Sequence, residues 1–131
     1  MTVKKNQSKA LASNELEHAS AVQIGRRLAA DKGGAVEVAK FFLERIEAQT
    51  SPVFLTVTRE RALAEARAAD GRLARGYSLS PLDGVPIAWK DLVNIAGTRT
   101  TAASGLFRDA PFACADAPAV RHATRAGMVT L

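Results

Sequence analysis

The sequence predicts an α/β fold in which helices come first, short apolar strands follow, and the sheet is left incomplete. Three observations carry this. Apolar residues recur at helical spacing over three stretches before Gly76. Short runs rich in β-branched and aromatic types then stand between turn-forming residues, as strands do. The composition, 47% hydrophobic and 24% charged over 131 residues, is that of an ordinary globular chain.

Taken in order, residues 1–14 read as a disordered polar tail and 15–131 as one domain with too few strands to close its sheet. From Glu15 to Asp31 the spacing predicts one helix punctuated by Val22, Ile24 and Leu28, stopped at Gly33-Gly34. A second helix over Ala35–Gln49 carries Val36, Ala39, Leu43 and Ile46 on one stripe with Phe42 beside them, and Ser51-Pro52 ends it. Val53–Val57 reads as a strand. A third helix over Arg59–Arg75, stopped by Gly76, has the stripe Leu63, Ala66, Asp70 and Leu73. Asp70 on the apolar side predicts a buried carboxylate bonded to a loop or paired with an arginine, the alternative being a catalytic acid.

At Ser78 the character changes. Ser80-Pro81-Leu82-Asp83-Gly84 is turn chemistry. Val85–Trp89 is a short strand, followed by Lys90-Asp91 and a loop of Gly, Thr, Ala and Ser from Ala96 to Gly105. Ala117–Ala126 predicts a further helix with Gly127 as its stop, and Met128–Leu131 another strand. So few strands would leave apolar faces and open edges in water, so the sequence reads as a piece of something larger.

The net charge of +5 raises the question of nucleic acid. Three of the positive charges, Lys4, Lys5 and Lys9, lie in a tail without acids, leaving 15 basic against 13 acidic residues elsewhere. Arginine and glutamate alternate in Arg59, Glu60, Arg61, Glu65 and Arg67, the pattern of a solvated helix face rather than a phosphate-tracking stripe. No nucleic-acid partner is expected. No apolar run approaches the roughly 20 residues that span a bilayer, and the polar N-terminus has no secretory apolar core, so no membrane partner is expected either. Cys114 is the single cysteine, which points to a reducing compartment, the cytoplasm.

Strand alternation puts Val85, Ile87 and Trp89 on one face, and Ala88 and Lys90 on the other. Lys90 thus stands at the carboxyl end of an apolar strand, where open α/β sheets place their ligands. Among apolar neighbours a charged lysine is penalised by desolvation, its pKa falls, and the neutral amine can act as a general base. The plainer reading of such a lysine is a snorkelling surface residue.

The run from Pro81 to Leu92, PLDGVPIAWKDL, resembles the motif P-L-x-G-[IV]-P-[IV]-x-[VW]-K-D of the amidase-signature family. Ala96-Gly97-Thr98 with Thr100–Ser104 is similar to that family's A-G-x-x-T-T-x-x-S loop. Asp116-Ala117 with Val120–Leu131 is similar to its D-A-x-x-V stretch, and Ala64–Gly76 to the helix before the lysine strand. The resemblance covers about Ala19 to Leu131 and implies the N-terminal part of the amidase-signature fold, a mixed sheet flanked by helices. It implies hydrolysis of carboxamide C–N bonds by a Ser–cis-Ser–Lys triad, with Lys90 as the base and a small amide as substrate. A homodimer is the candidate assembly of the complete enzyme, and no metal or organic cofactor is implied. The chain departs from the family in lacking a Gly-Gly-Ser-Ser-Gly type of run, so alone it is expected to be catalytically incomplete. Ser104, Thr100 and Thr101 read as loop residues bonding their own backbone. Isolated His18 and His122 read as surface residues rather than metal ligands, and Cys114 as a free structural thiol.

Two alternatives stand beside this reading. One is a non-catalytic interaction module docking through helices around Phe41, Phe42 and Ile46. The other, within the family, is the glutamine-hydrolysing subunit of a tRNA amidotransferase.

Overall fold

The computed structural model describes residues 13–131, and most of the expected polar tail lies outside them. Five helices run over Ser13–His18 (α1), Ala21–Asp31 (α2), Ala35–Glu47 (α3), Arg59–Leu73 (α4) and Pro118–Arg125 (α5). Two strands, Pro86–Ile87 (β1) and Val129–Thr130 (β2), and a 3-10 turn at Gly105–Phe107 complete the elements.

The first expected helix is two helices. Ser20 breaks it by forming a capping box: its hydroxyl accepts from Gln23 N, and the Gln23 side chain accepts from Ser20 N at 2.7 Å. This satisfies two of the orphaned donors at the start of α2 reciprocally. Ile24 and Leu28 are buried as expected, while Val22 is exposed. At its other end α2 turns through Lys32 in a left-handed conformation, closing on the carbonyls of Leu28 and Ala29 before the glycine pair.

Next, α3 starts directly after Gly34 with no side-chain cap of its own. The cap comes from Asp70 on α4, whose carboxylate accepts from Ala35 N at 2.7 Å and Val36 N at 3.2 Å. A negative group at a helix N-terminus also complements the helix dipole. Asp70 is therefore the hydrogen-bonded carboxylate its stripe predicts, but half-buried rather than buried and serving a helix end rather than a loop.

Helices α3 and α4 form the body of the core. Val38, Ala39 and Leu43 are buried against Ala62, Ala66, Ala69 and Leu73. Alanines along α4 let the two backbones approach, and Leu43 and Leu28, with almost no exposure, each contribute about 1.5–3 kcal/mol by burial. Phe41 and Phe42 meet edge to face at 5.2 Å and are half-buried against the same core. Part of each ring, and of Ile46, remains at the surface.

The two strands pair in parallel, Pro86 opposite Val129 and Ile87 opposite Thr130, with α5 in the connection between them. The far edge of β2 is closed by side chains around α4. Glu65 Oε2 accepts from Thr130 N at 2.8 Å, and the hydroxyl of Thr58, the residue before α4, donates to Thr130 O at 3.1 Å. Closure of this kind removes a strand edge that would otherwise pair with other chains.

Val53–Val57 is not a strand. No backbone ladder forms there, and Val53 and Leu55 remain exposed. β-branched composition says that a segment suits a pleated surface, but a strand also needs a neighbouring strand to bond.

One buried ion pair joins helix, turn and strand. Asp83 has 1% of its side chain exposed and receives Arg72 in a two-pronged contact at 2.6 and 3.0 Å, together with Leu79 N at 2.9 Å. Gly127, in the left-handed region, lies against this carboxylate so closely that a Cβ there would fall 2.2 Å from Asp83 Oδ1. The approach lets Gly127 O accept from Gly84 N at 2.8 Å, which starts the pairing of β1 with β2.

Candidate functional site

Lys90 lies three residues beyond β1, at its carboxyl end. Burial alternates as predicted: Val85 is buried, Ile87 and Trp89 are half-buried, and Ala88 and Lys90 are exposed. Trp89 is tied to β2 by its indole N–H, which donates to Thr130 Oγ1 at 3.4 Å. Directly after Lys90 the chain turns, with Leu92 N and Val93 N both donating to Lys90 O.

Lys90 opens onto a cavity of about 520 Å³. The unpaired segment 52–56 forms one wall, with Phe54 and Leu55 among its apolar surfaces. Val93 and Ile95 line another, and Arg99 supplies a second positive charge. The strand pattern predicts a Lys90 enclosed among apolar neighbours. In the fold Lys90 is exposed, with apolar surface on the cavity walls beside it rather than around it.

Two aspartates build the loop around the cavity. Asp91 Oδ1 accepts from Thr101 N at 2.9 Å, while Oδ2 accepts from the Thr101 hydroxyl at 2.5 Å and Ala103 N at 3.0 Å. Ala102 N donates to the Asp91 carbonyl at 2.9 Å. These bonds hold Ala102 and Ala103 in the left-handed region, at φ of 52° and 54°, which alanine adopts only when its surroundings impose it. The hydrogen bonds from Thr101, foremost its hydroxyl, hold the Asp91 carboxyl below the ordinary carboxylate range.

Asp116 performs the matching task further along the loop. Arg61 grips it with two bonds of 2.8 Å, and Asp116 Oδ1 also accepts from Ala96 N at 2.8 Å. Arg61 extends to Glu65 at 2.8 Å and Thr124 Oγ1 at 3.2 Å, so one guanidinium joins α4, the loop and α5. Its paired hydrogen bonds, those to Asp116 first, raise the Arg61 pKa and lower that of Asp116. The alternation of charges on α4 thus does not mark a wholly solvated face. Arg59, Glu60 and Arg67 are exposed, but Arg61 and Glu65 turn inward and are half-buried.

Among the loop hydroxyls, Ser104 accepts from Leu106 N at 3.3 Å, as a residue bonding its own backbone would. The Thr100 hydroxyl reaches both the Val93 carbonyl at 3.5 Å and the Asn94 side chain at 2.7 Å, while that of Thr101 donates to Asp91. His18, His122 and Cys114 are exposed and stand away from Lys90 in the chain. Among the described residues no group of three His, Cys, Asp or Glu side chains is placed to hold a metal, and no helix is long and apolar enough to cross a membrane. The sequence places Asp83 in a turn, Arg61 on a solvated face and Asp91 and Asp116 in motifs, and marks none of them as a partner that holds the loops. The signal present for Asp91 was a carboxylate ten residues ahead of Thr101, a span too long for local turn rules.

Known proteins resemble this chain in sequence and in fold. The family model described as "Amidase" matches residues 37–131. A subunit of the glutamyl-tRNA(Gln) amidotransferase of Carboxydothermus hydrogenoformans is 41% identical over 119 residues, covering 88% of this chain and 24% of that protein. Among solved structures, a chain of a vestigial protein complex tied to the evolutionary origins of an s-triazine catabolic enzyme superposes with a TM-score of 0.79. It is 40% identical and covers 86% of this chain and 25% of that one. The native peptide amidase of Stenotrophomonas maltophilia superposes with a TM-score of 0.69 at 29% identity, covering 87% of this chain and 24% of that one. The chain thus spans about a quarter of the length of the relatives it matches.

Proposed function

The chain belongs to the amidase family, and from that premise we propose that it supplies the lysine of an amide-hydrolysing site, with Lys90 as the general base. The observation that carries this reading is the position of Lys90: the motif lysine stands at the carboxyl end of β1, on the wall of a cavity large enough for a small amide. In the reaction, neutral Lys90 Nζ takes the proton of a serine hydroxyl, and that serine takes the proton of the nucleophilic serine. The nucleophilic oxygen bonds to the amide carbon, the C–N bond breaks, and the amine leaves with a proton returned along the same path. Water then cleaves the ester and releases the acid. On this reading the two serines act with Lys90 and stand outside the motifs of residues 13–131.

The test is amide hydrolysis by the complete gene product. General-base catalysis is worth about 10²–10⁴ in rate, so Lys90→Ala should lower kcat by that order with little change in KM. Full activity in that variant would remove Lys90 from the mechanism. The 131-residue chain alone should turn over no amide.

A second reading is favoured by the 41% identity to the amidotransferase protein. On it the amide is glutamine, the released ammonia passes to a charged tRNA, and the protein works with partner subunits. Co-purification with such subunits and a glutaminase activity would select this reading. Turnover of simple amides by a self-sufficient homodimer would select the first. In either case the exposed free thiol of Cys114 suits a reducing compartment such as the cytoplasm.

A further inference from the structure

The cavity beside Lys90 holds a second built feature, centred on Arg99. Gly97 N donates to Ala113 O and Ala113 N donates to Thr98 O, both at 2.8 Å, so two segments of the loop are locked side by side. The next residues outward, Arg99 and Phe112, are thereby brought face to face, with the guanidinium carbon 4.4 Å from the ring centroid. On its other side Arg99 is followed by the Thr100–Ala103 segment that Asp91 clamps. The arginine is held from both ends and by a ring beneath it.

Stacking uses the face of a guanidinium and leaves its N–H edge free, which is the edge that grips a carboxylate in two parallel bonds. No carboxylate among the described residues occupies that edge, since Arg99 makes no ion pair. Asp91 is the sole acid lining the cavity, and both its oxygens are engaged by Thr101 and Ala103. Arg99 therefore lines the Lys90 cavity as a cation without a carboxylate partner, between apolar walls from Phe54, Leu55, Val93 and Ile95.

We propose that Arg99 is a specificity residue that binds the carboxylate of the substrate, so that the amides this site takes are small amides carrying a carboxylate. The inference rests on the amidase reading for its chemistry, but binding tests it separately. Succinamate and its methyl ester share the amide and differ by one negative charge. Their dissociation constants should be measured by calorimetry on the complete protein carrying Lys90→Ala, which prevents turnover, with Arg99 intact and as Arg99→Gln.

With Arg99 intact, succinamate should bind about tenfold or more tighter than the ester, the worth of a charge-assisted hydrogen-bonded contact. In Arg99→Gln that preference should collapse to within about twofold, and Arg99→Lys, which keeps charge without the fork, should fall between. Phe112→Leu, which removes the ring under the guanidinium, should reduce the preference by about two- to fivefold. Equal affinity for the two probes, or a preference that survives in Arg99→Gln, overturns the assignment. Should the complete protein hydrolyse neither amide while the charge preference depends on Arg99, the catalytic reading falls and this one stands. Hydrolysis of both at equal kcat/KM overturns the assignment of Arg99 and leaves the catalytic reading in place.

Discussion

The helical region up to Gly76 and the loop region from Ala88 to Ala117 are held together by different physics. In the first, buried apolar residues on α2, α3 and α4 form one core, and the polar contacts, such as Asp70 at the start of α3, finish helix ends. In the second no residue is buried, and order comes from two carboxylates that each collect several donors across sequence gaps of ten residues or more. A core tolerates many apolar sequences at roughly constant volume, whereas a carboxylate bracket depends on one charge at one place. That difference suits a site: the helices provide rigidity, and the loop presents Lys90 and Arg99 at a set geometry without burying them.

The junction of the two regions should be the most sensitive point. Asp83→Ala leaves Arg72 without its partner and Leu79 N without an acceptor beneath Gly127. The expected loss is about 3–5 kcal/mol in urea unfolding. A loss below about 1 kcal/mol would mean that the junction is not where the regions are joined. Within the helical region, Leu43→Ala should cost about 2–4 kcal/mol by leaving a cavity in a well-packed core. The amide resonances of Gly97–Ala103 should stay in place if the two regions are as separate as their contacts indicate, and movement of those resonances would contradict the division.

The loop should respond oppositely. Asp91→Asn should lower global stability by only about 1 kcal/mol, yet shift the Thr101 and Ala103 amides strongly and release the left-handed alanines. Acid should have the same effect as the substitution. Because Asp91 has a lower pKa folded than unfolded, its stabilisation is present above the unfolded carboxylate value and is lost as pH falls through the folded one. A titration of the Thr101 amide shift should therefore have its midpoint below the ordinary carboxylate range and lose that step in Asp91→Asn. A midpoint above that range would show that the bracket does not favour the charged form.

Much of the helical region was legible in the residues. The stripe on α3, the stop at Gly33-Gly34, the inward Asp70 and the strand before Lys90 all follow from local spacing, which one chain carries in its own order. The split at Ser20 was also written there, as Ser followed by Gln three residues on, but the longer apolar period overrode it. Val53–Val57 misled because propensity cannot supply a pairing partner.

By itself, then, the sequence determined the helices, their buried faces, the place of Lys90 at a strand end and the family motifs around it. Periodicity and turn chemistry act over a few residues, so they can be read without a fold. Only the tertiary structure decided that Arg61 and Glu65 turn inward, that Asp83, Asp91 and Asp116 hold the loops, and that Arg99 shares a cavity with Lys90. The residues brought together stand nine to more than sixty positions apart. A charge in a sequence carries no mark of which distant donor will meet it until burial has brought the two together.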